Sequence, residues 1–410
     1  MLDPATLKSY LDQQLPAALE ILRQMVGINS FTSNPEGVNR LAGFTAECFA
    51  PLGFTAEHVP STNPEFGAHL VMTHRGKSRS VAMISHLDTV FPPEEEARNN
   101  FHWQPEGDRI YGPGTQDIKG GTAMMWLVLM ALRAHSPQVF EDTTWTLLLN
   151  SSEERFSPDF GDLCRSRFDS GTLGALVFEA EGQRGSDYLM VLARKGRASW
   201  RVTVSGRGSH AGGKHPHGAN AAVQLGHILP RIAALTDYSR GLTFNVGTIS
   251  GGTVLNRVPH EAVAEGEFRA FTPEVYEQGK AALLAFAGPG EVRSPADGFP
   301  CEVKVEILTE SGPWPRNAGT DRLYQYWKDA GDKLGIPTDY EERGGLSDGN
   351  LIWDAVPTID GLGPWGDNDH CSERSADGSK VPEYVDVRRF VPKAMVNVEA
   401  IENLIRSQNP

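Results

Sequence analysis

The chain contains 410 residues with a mass of 44.7 kDa, which is longer than one simple domain and predicts two or three domains. Hydrophobic residues make up 40% of it and charged residues 22%, a profile typical of soluble globular proteins. The formal net charge of -14 argues against nucleic acid or an anionic membrane as a general partner.

The cysteines and the apolar stretches bear on location. The four cysteines are Cys48, Cys164, Cys301 and Cys371. They form no CxxC pair and no disulfide framework, which predicts a reducing, cytoplasmic environment. The first residues, MLDPAT, show neither the basic nor the apolar region of a signal peptide. The longest apolar stretch, 123–132, is about half of the ~20 residues that cross a bilayer, so we expect a buried helix.

The first 190 residues alternate helix and strand signals. Asp3-Pro4 predicts a helix start, and apolar residues follow at helical spacing as far as Val26. A second helix is predicted from Asn34-Pro35 to Gly53. Runs of strand length lie at 69–73, 81–87, 143–149 and 174–178, with a helix at 122–134. The alternation predicts an α/β fold, a mostly parallel sheet covered by helices.

The pattern changes near residue 190. Residues 197–204 alternate apolar and polar side chains, as a half-buried antiparallel strand does. A helix at 219–235, strands at 242–250 and 261–270, a helix after Thr272-Pro273 and a strand at 302–307 follow. These four strands and two helices predict a small inserted α+β sandwich. Helix 321–334, a strand near 356–360 and a last helix from about 391 resume the α/β pattern. We therefore predict one larger domain in two parts, 1–193 and 313–410, with 194–312 inserted.

Acidic residues and histidines recur where the predicted strands end. They are His86 and Asp88, Asp117, Glu153 and Glu154, Glu179, and, late in the chain, His370. Several anionic oxygens and two imidazoles from different strand ends suit two divalent metals bridged by one carboxylate. A neighbouring carboxylate that is not a ligand can then accept the proton of a water molecule. Taken alone, His86 with Asp88 is more often a satisfied polar pair, and Glu153 with Glu154 a solvated loop edge.

Six motifs in one order make the similarity specific. They are SHLDTV (85–90), YGPGTQDIKGG (111–121), SEE (152–154), VFE (177–179), GRGSHAG (206–212) and GGLSDG (344–349). With these motifs the chain resembles the co-catalytic zinc metallopeptidases, which include glutamate carboxypeptidase, aminoacylase, acetylornithine deacetylase and succinyl-diaminopimelate desuccinylase. The resemblance extends over essentially the whole chain.

The resemblance implies roles for the clustered residues. It assigns His86, Asp117 and Glu179 to one metal and Asp117, Glu154 and His370 to the other, with Asp117 as the bridge. Asp88 corresponds to the aspartate behind His86, and Glu153 to the general base. The bridging aspartate of the family precedes a cis peptide bond, which implies one between Asp117 and Ile118.

The inserted domain resembles the dimerising lid of the family. His210 corresponds to the histidine that enters the partner subunit's site and stabilises the oxyanion; it could also be a structural lid residue. Asn256 and Arg269 correspond to positions that bind the substrate's free carboxylate, although a turn residue and a strand-edge salt bridge are the alternatives. Gly345 lies in a turn that resembles a substrate-binding loop.

Three features depart from the family pattern. After the last histidine the family often continues with a Pro-Asp-Glu-like sequence, whereas here His370 is followed by CSER, which leaves the role of Glu373 open. The strand end FEAE offers Glu181 as an alternative to Glu179, which we prefer because it directly follows the strand's last apolar residue. The basic residue that selects glutamate side chains has no secure counterpart in 311–316.

The resemblance implies a dinuclear zinc hydrolase that cleaves an amide bond next to a free carboxylate, closest to glutamate carboxypeptidase. It implies two zinc ions per chain, with cobalt or manganese as alternatives, and a small peptide or N-acyl amino acid as substrate. The alternative enzyme is an N-acyl-amino-acid deacylase of aminoacylase type. A non-catalytic binding relative is the third reading, and the full set of ligands and base argues against it. We expect a homodimer through the lid, and neither nucleic acid nor a membrane as a partner.

Overall fold

The structure, a computed structural model, describes residues 3–77 and 79–407. The ends of the predicted ranges 1–193 and 313–410 lie outside these residues. The chain divides into two compact units. The first contains residues up to Leu192, Arg316–Glu342 and the chain from Ser347 onward, and the second contains Ala193–Pro315 and Arg343–Leu346. The predicted division into domains stays a prediction.

Ten α-helices occur in the described residues. They are α1 (Pro4–Val26), α2 (Pro35–Phe49), α3 (Pro93–Arg98), α4 (Lys119–His135), α5 (Pro137–Asp142), α6 (Pro158–Arg167), α7 (Ala221–Ala233), α8 (Pro273–Leu284), α9 (Ala318–Leu334) and α10 (Phe390–Ser407). Side chains of Asp3 and Asn34 accept hydrogen bonds from the first turns of α1 and α2, as capping predicts. Gly53 has a φ of 84°, the left-handed conformation that ends this helical region.

Eighteen strands occur in the same residues. They are β1 (Thr55–Val59), β2 (His69–His74), β3 (Ser80–His86), β4 (Gln104–Glu106), β5 (Arg109–Tyr111), β6 (Thr144–Asn150), β7 (Thr172–Val177), β8 (Gly182–Arg184), β9 (Asp187–Arg194), β10 (Gly196–Ser205), β11 (Thr243–Gly251), β12 (Glu261–Ala270), β13 (Gly288–Arg293), β14 (Pro300–Ser311), β15 (Thr338–Arg343), β16 (Thr358–Ile359), β17 (Gly366–Asp367) and β18 (Tyr384–Asp386).

The first unit is built on a six-stranded sheet in the order β1-β2-β6-β3-β7-β16. β6, β3, β7 and β16 pair in parallel, whereas β1 and β2 are antiparallel. β3 and β6 are buried almost throughout, because helices supply apolar side chains on both faces of the sheet. The predicted mostly parallel, helix-covered sheet is confirmed. Two smaller sheets have the strand orders β15-β9-β8 and β17-β18-β5-β4.

The second unit contains one antiparallel sheet in the order β11-β12-β10-β14-β13. α7 and α8 pack on one face of it, and its own core includes the buried side chains of Trp200 and Phe268. The sequence predicted four of these strands and missed β13, an edge strand with the sequence GPGEVR. Glycine and proline are unfavourable in strands, which hides this element from a pattern search.

None of the helices in residues 3–77 and 79–407 combines the length and apolarity that a membrane span needs.

Candidate metal centre

His86 is the last residue of β3, in the middle of the main sheet. Its side chain is buried, and its Nδ1 donates a hydrogen bond to the carbonyl oxygen of Asp88 at 3.0 Å. Nε2 lies 2.9 Å from Oδ1 of Asp117 and 3.8 Å from Oε1 of Glu179. Because Nδ1 donates to a backbone carbonyl, Nε2 is the nitrogen that faces the carboxylates and is available to a cation.

Asp88 has a wider role than orienting His86. Its carboxylate accepts the backbone N–H groups of Glu153 at 3.0 Å and Glu154 at 3.2 Å, and the hydroxyl of Thr32 at 2.7 Å. The distance from its Oδ1 to Nδ1 of His86 is 3.4 Å, longer than the contact made by its carbonyl. The carbonyl therefore orients the imidazole, and the carboxylate holds the loop that carries Glu153 and Glu154.

Asp117 lies between the two histidines. Its Oδ1 contacts Nε2 of His86 at 2.9 Å, and its Oδ2 lies 3.4 Å from Nε2 of His370. The peptide bond between Asp117 and Ile118 is cis, which confirms the expectation from the family resemblance. One carboxylate thus presents a different oxygen to each imidazole.

His370 and Glu154 form the other side of the cluster. Nε2 of His370 lies 3.2 Å from Oε2 of Glu154, and the His370 side chain is about half exposed. The backbone of His370 has a φ of 62°, a left-handed conformation that a non-glycine residue adopts at a cost of about 1–3 kcal/mol. Strain of this kind is concentrated at functional sites.

Two groups of three side chains result, and they share Asp117. The members are His86, Asp117 and Glu179 in one, and Asp117, Glu154 and His370 in the other. Within each group one potential ligand atom from every residue lies within 4.8 Å of the others. Imidazole nitrogens and carboxylate oxygens are the donors that zinc and similar divalent cations take, so the residues present fit two cations that share one carboxylate.

Glu153 belongs to neither group of three. Burial raises the pKa of its carboxyl well above the usual value, the charge of His86 opposes this effect, and the acidic Asp348, Glu154 and Glu179 add to it. In its ionised form, a carboxyl group with a raised pKa binds a proton more tightly, which favours a role as general base.

Glu179 and Glu181 have different surroundings. Glu179 lies beside His86, whereas the buried carboxylate of Glu181 forms ion pairs with Arg389 at 2.7 Å and Lys393 at 3.2 Å. Two cations already neutralise Glu181, and it lies in neither group of potential ligands. The structure therefore places Glu179, and not Glu181, in a group of potential ligands.

Glu383, and not Glu373, is the glutamate after His370 that contacts the loop carrying Asp117. Glu373 is exposed and pairs with Lys380 at 2.7 Å. Glu383, in a Pro-Glu pair directly before β18, is fully buried and accepts the backbone N–H groups of Gln116 at 2.8 Å, Asp117 at 3.1 Å and Gly114 at 3.3 Å. The Pro-Glu pair was the signal that could have identified it. Its carboxylate fixes the loop that presents Asp117.

His210 lies in the second unit on a loop beside Asn256. The backbone N–H of Ala211 donates to the Asn256 carbonyl at 2.9 Å. The backbones of His210 and Arg257 form an isolated antiparallel β-bridge. Nδ1 of His210 accepts the N–H groups of Gly212 at 3.1 Å and Gly213 at 3.0 Å. A ring nitrogen that accepts hydrogen bonds carries no proton, so the proton of the neutral ring is on Nε2. The exposed ring therefore offers an N–H donor.

Arg269 and Arg194 both contact the segment 343–346 of the second unit, which contains Gly345. Arg269 donates to the Gly344 carbonyl at 2.8 Å and pairs with Glu267 at 2.8 Å. The buried Arg194 donates to the carbonyls of Gly345 at 3.3 Å and Leu346 at 2.9 Å. The structure thus brings Arg269 to this turn and places Asn256 beside His210.

Lys195 is a further basic residue here that the sequence did not single out. Its Nζ lies over the ring of Phe271 at 5.3 Å, and it donates to Oγ1 of Thr243 at 3.4 Å. Burial and the charge of Arg269 lower the pKa of Lys195. Lys195 therefore adds positive charge beside Arg269, whose own charge is paired with Glu267.

Comparison with known proteins shows which proteins the chain is similar to. Residues 192–289 match the description "Peptidase dimerisation domain". The chain is 29% identical over 394 residues to "Carboxypeptidase G2" of Pseudomonas sp. (strain RS-16), covering 94% of this chain and 88% of that protein. It is 26% identical over 366 residues to "Succinyl-diaminopimelate desuccinylase" of Paracidovorax citrulli, covering 84% and 89%.

Among solved structures, the chain resembles the YXEP protein of Bacillus subtilis, described as a dinuclear metal binding peptidase from the M20 family. The TM-score is 0.67 at 12% sequence identity, with 97% of this chain and 99% of that one covered. Residues 192–289 thus match a peptidase dimerisation domain, and most of the chain is similar to Carboxypeptidase G2 and to a succinyl-diaminopimelate desuccinylase. These homologues indicate a hydrolase, and the resemblance stated from the motifs is confirmed.

The charges of the centre shift the pKa values of its members. Hydrogen bonds to Asp117 and Glu154 raise the pKa of His370 to about 11. Burial opposes a charge on His86, but hydrogen bonds to Asp117 and Asp88 place its pKa well above the usual value. Burial and the charge of Asp117 raise the pKa of Glu154 to about 7. In the metal-free chain at neutral pH, both imidazoles are therefore protonated and partly neutralise the carboxylates.

Cation binding should consequently release protons. We expect the release of roughly two to three protons per chain near pH 7, and a metal affinity that falls as the pH decreases from 8 to 6, because protons compete for the same atoms. Calorimetric titration of metal-free protein in buffers of different ionisation enthalpy measures the release. His370→Asn should lower it, and His58→Asn, at an exposed position in β1, should not. A binding heat that does not depend on the buffer would mean that no protons are released, and it would contradict the assignment of protonated histidines as ligands.

Proposed function

We propose that the chain is a dinuclear zinc hydrolase of the glutamate-carboxypeptidase type, which cleaves an amide bond next to a free carboxylate. The observation that carries this proposal is the position of Asp117, which offers one carboxylate oxygen to each of two histidines. Similarity to Carboxypeptidase G2 over most of the chain supports the substrate class. Zinc is proposed because the ligands are imidazoles and carboxylates.

The residues that would hold the cations follow from the two groups described above. His86, Asp117 and Glu179 would hold one, and Asp117, Glu154 and His370 the other. Two divalent cations at such a site lower the pKa of a water molecule and polarise the carbonyl group to be attacked.

Proton transfer is assigned to Glu153. Its carboxylate would accept the proton of the attacking water and return it to the nitrogen of the departing amine. The backbone N–H of Glu153 is fixed by Asp88 at 3.0 Å, which restricts where the carboxylate can lie. Water activation and amine protonation therefore use one group in sequence.

Stabilisation of the oxyanion is assigned to His210. Because its Nδ1 accepts two backbone N–H groups, its Nε2–H is preset as a donor. A preset donor stabilises charge that develops on the carbonyl oxygen without reorganising in the transition state. We propose that His210 acts on the site of the partner subunit in a homodimer.

Recognition of the free carboxylate is assigned to the second unit. Arg269 supplies a planar guanidinium, Asn256 an amide, and Gly345 a turn held by Arg194. Lys195 adds charge beside Arg269. The salt bridge between Arg269 and Glu267 would have to accommodate a substrate carboxylate, so these assignments belong to the proposal alone.

The homodimer is proposed to form through the second unit. β11 is an edge strand of its sheet, and Ile249 on that strand is 64% exposed. In the following loop Leu255 is fully exposed. An unpaired strand edge with exposed apolar side chains favours pairing with a second chain. We also propose the domain ranges 1–193, 194–312 and 313–410, and a cytoplasmic location, which the four unpaired cysteines support.

The shared site predicts complementation between two inactive variants. A subunit with Glu153→Ala retains His210, and a subunit with His210→Ala retains Glu153. One of the two sites in the mixed dimer is then intact, and random mixing should restore about a quarter of wild-type activity. The measurement is the turnover of co-refolded variants against each variant alone. No recovery, with mixed dimers verified by mass spectrometry, would remove the cross-subunit role of His210.

A substrate panel tests the proposed activity. It contains peptides and folate-like conjugates ending in glutamate or aspartate, the same compounds with an amidated terminus, N-acetyl amino acids and N-succinyl-diaminopimelate. We expect kcat/KM to be highest for the free-carboxylate conjugates and to fall by roughly 10²-fold on amidation, because a charged hydrogen-bond partner is lost. A preference for simple N-acetyl amino acids would favour the deacylase, and no hydrolysis by protein that contains metal would favour a binding protein.

A further inference from the structure

The loop 151–154, which carries Glu153 and Glu154, is held at four successive backbone N–H groups by buried side chains. Ser152 donates to Oδ1 of Asn150 at 3.0 Å, and Glu153 and Glu154 donate to the two oxygens of Asp88. The first, Ser151, donates to Nδ1 of His69 at 3.1 Å. Such complete pairing outside regular secondary structure indicates a loop fixed in one conformation.

His69 is part of a second, separate network. It is the first residue of β2 and is 1% exposed. Its Nε2 lies 3.2 Å from Oδ2 of Asp159, which also accepts the N–H of Thr62 at 2.8 Å and the hydroxyl of Ser61 at 2.9 Å. Since Nδ1 accepts a backbone N–H, Nε2 carries the ring proton and donates it to Asp159.

This arrangement fixes the tautomer and the ring position of His69 from both ends. Asp159 accepts the hydrogen bond from Nε2–H, so Nδ1 carries no proton and can only accept. It faces the backbone N–H and the hydroxyl of Ser151, both at 3.1 Å. The ring also packs against Phe160 with centroids 5.2 Å apart. Burial lowers the pKa of His69, which keeps the ring neutral and Nδ1 free to accept.

We propose that His69, aligned by Asp159, is a positioning residue for Glu153 and Glu154. It acts through the Ser151 backbone and touches neither carboxylate. This inference rests on the proposed function, because positions of Glu153 and Glu154 matter to turnover only if they serve as base and ligand. The anchoring of the loop itself does not depend on that function.

Three variants at position 69 separate the hydrogen bond from packing. His69→Asn places an oxygen on Cγ, where Nδ1 is attached, and can still accept from Ser151. His69→Gln places its polar group at the level of Nε2, facing Asp159, and His69→Leu has neither. His58→Leu, at an exposed histidine of β1, is the matched control.

The first readout is independent of activity. Hydrogen–deuterium exchange of the peptide containing 150–157 is measured in metal-free protein. We expect exchange in this segment to accelerate at least about tenfold in His69→Gln and His69→Leu, and to stay near wild type in His69→Asn and His58→Leu. If all four variants exchange like wild type, His69 does not anchor the loop. If the Leu variant does not fold, the contrast between Asn and Gln decides.

The second readout is turnover of metal-loaded protein. We expect His69→Gln and His69→Leu to lower kcat on the order of 10²-fold with KM within about twofold, since displacing a base by a fraction of an ångström acts on the chemical step. His69→Asn should recover most of this loss. Equal losses in all three variants would show a packing role and overturn the proposal. Faster exchange with unchanged kcat would support His69 as the anchor of the loop. It would count against the roles of Glu153 and Glu154 in turnover.

Discussion

Replacing Glu153 by glutamine should lower kcat by roughly 10²–10⁴-fold while KM and metal content stay near wild type. The amide has the shape of the carboxylate but cannot accept a proton from water. Glu153 lies outside both groups of potential ligands, so its loss should leave cation binding intact.

The same variant should be no less stable than wild type. Burial raises the pKa of Glu153 in the folded chain, so folding favours the protonated form, and the ionised form destabilises the native state as the pH rises above the usual carboxyl pKa. Glutamine removes this penalty, and we expect an unchanged or higher Tm at neutral pH for the metal-free protein. A large loss of activity without a loss of stability is the signature of a catalytic group.

Glu373→Gln is the matched control for this experiment. Glu373 is an exposed glutamate that forms an ion pair with Lys380, and exposed pairs contribute little to stability. The kcat of the Glu373→Gln variant should stay within about twofold of wild type. Near-normal turnover of Glu153→Gln with two bound cations would remove Glu153 as the base.

Replacing Asp117 by alanine should have the other large effect. One carboxylate serves both groups of potential ligands, so its loss should reduce bound metal from about two cations per chain to less than one, and activity to below about one-thousandth. Glu179→Ala should remove one cation only. Metal content by mass spectrometry after gel filtration measures both.

Glu181→Gln controls for the loss of a buried carboxylate near the same strand. Arg389 and Lys393 would lose their partner, which costs about 3–5 kcal/mol for a broken buried pair and should lower Tm. Metal content should nevertheless remain about two. Retention of both cations by Asp117→Ala, or loss of a cation by Glu181→Gln, would contradict the assigned bridge and ligand.

Local sequence signals were sufficient for much of the main sheet. β3 and β6 are continuous apolar runs because both faces are covered, and polar residues at their ends mark the edge where His86 and Glu153 lie. The structure brings together the five residues singled out as ligands, and their binding of metal stays a prediction.

Contacts between distant parts of the chain could not be predicted in this way. Glu181 and Glu179 look equivalent in sequence, and only the pairing of Glu181 with Arg389, far along the chain, separates them. Glu383 follows His370 after a longer segment than the family pattern suggests, so adjacency pointed to Glu373. His69 and Asp88, from different parts of the chain, accept hydrogen bonds from the loop 151–154. Hydrophobic periodicity in the sequence does not predict such contacts.

The most direct test of the dinuclear centre is anomalous diffraction from crystals of zinc-loaded protein. We predict two peaks in each chain, one contacted by His86, Asp117 and Glu179 and the other by Asp117, Glu154 and His370. A single peak, or two peaks that do not share Asp117, would contradict the account.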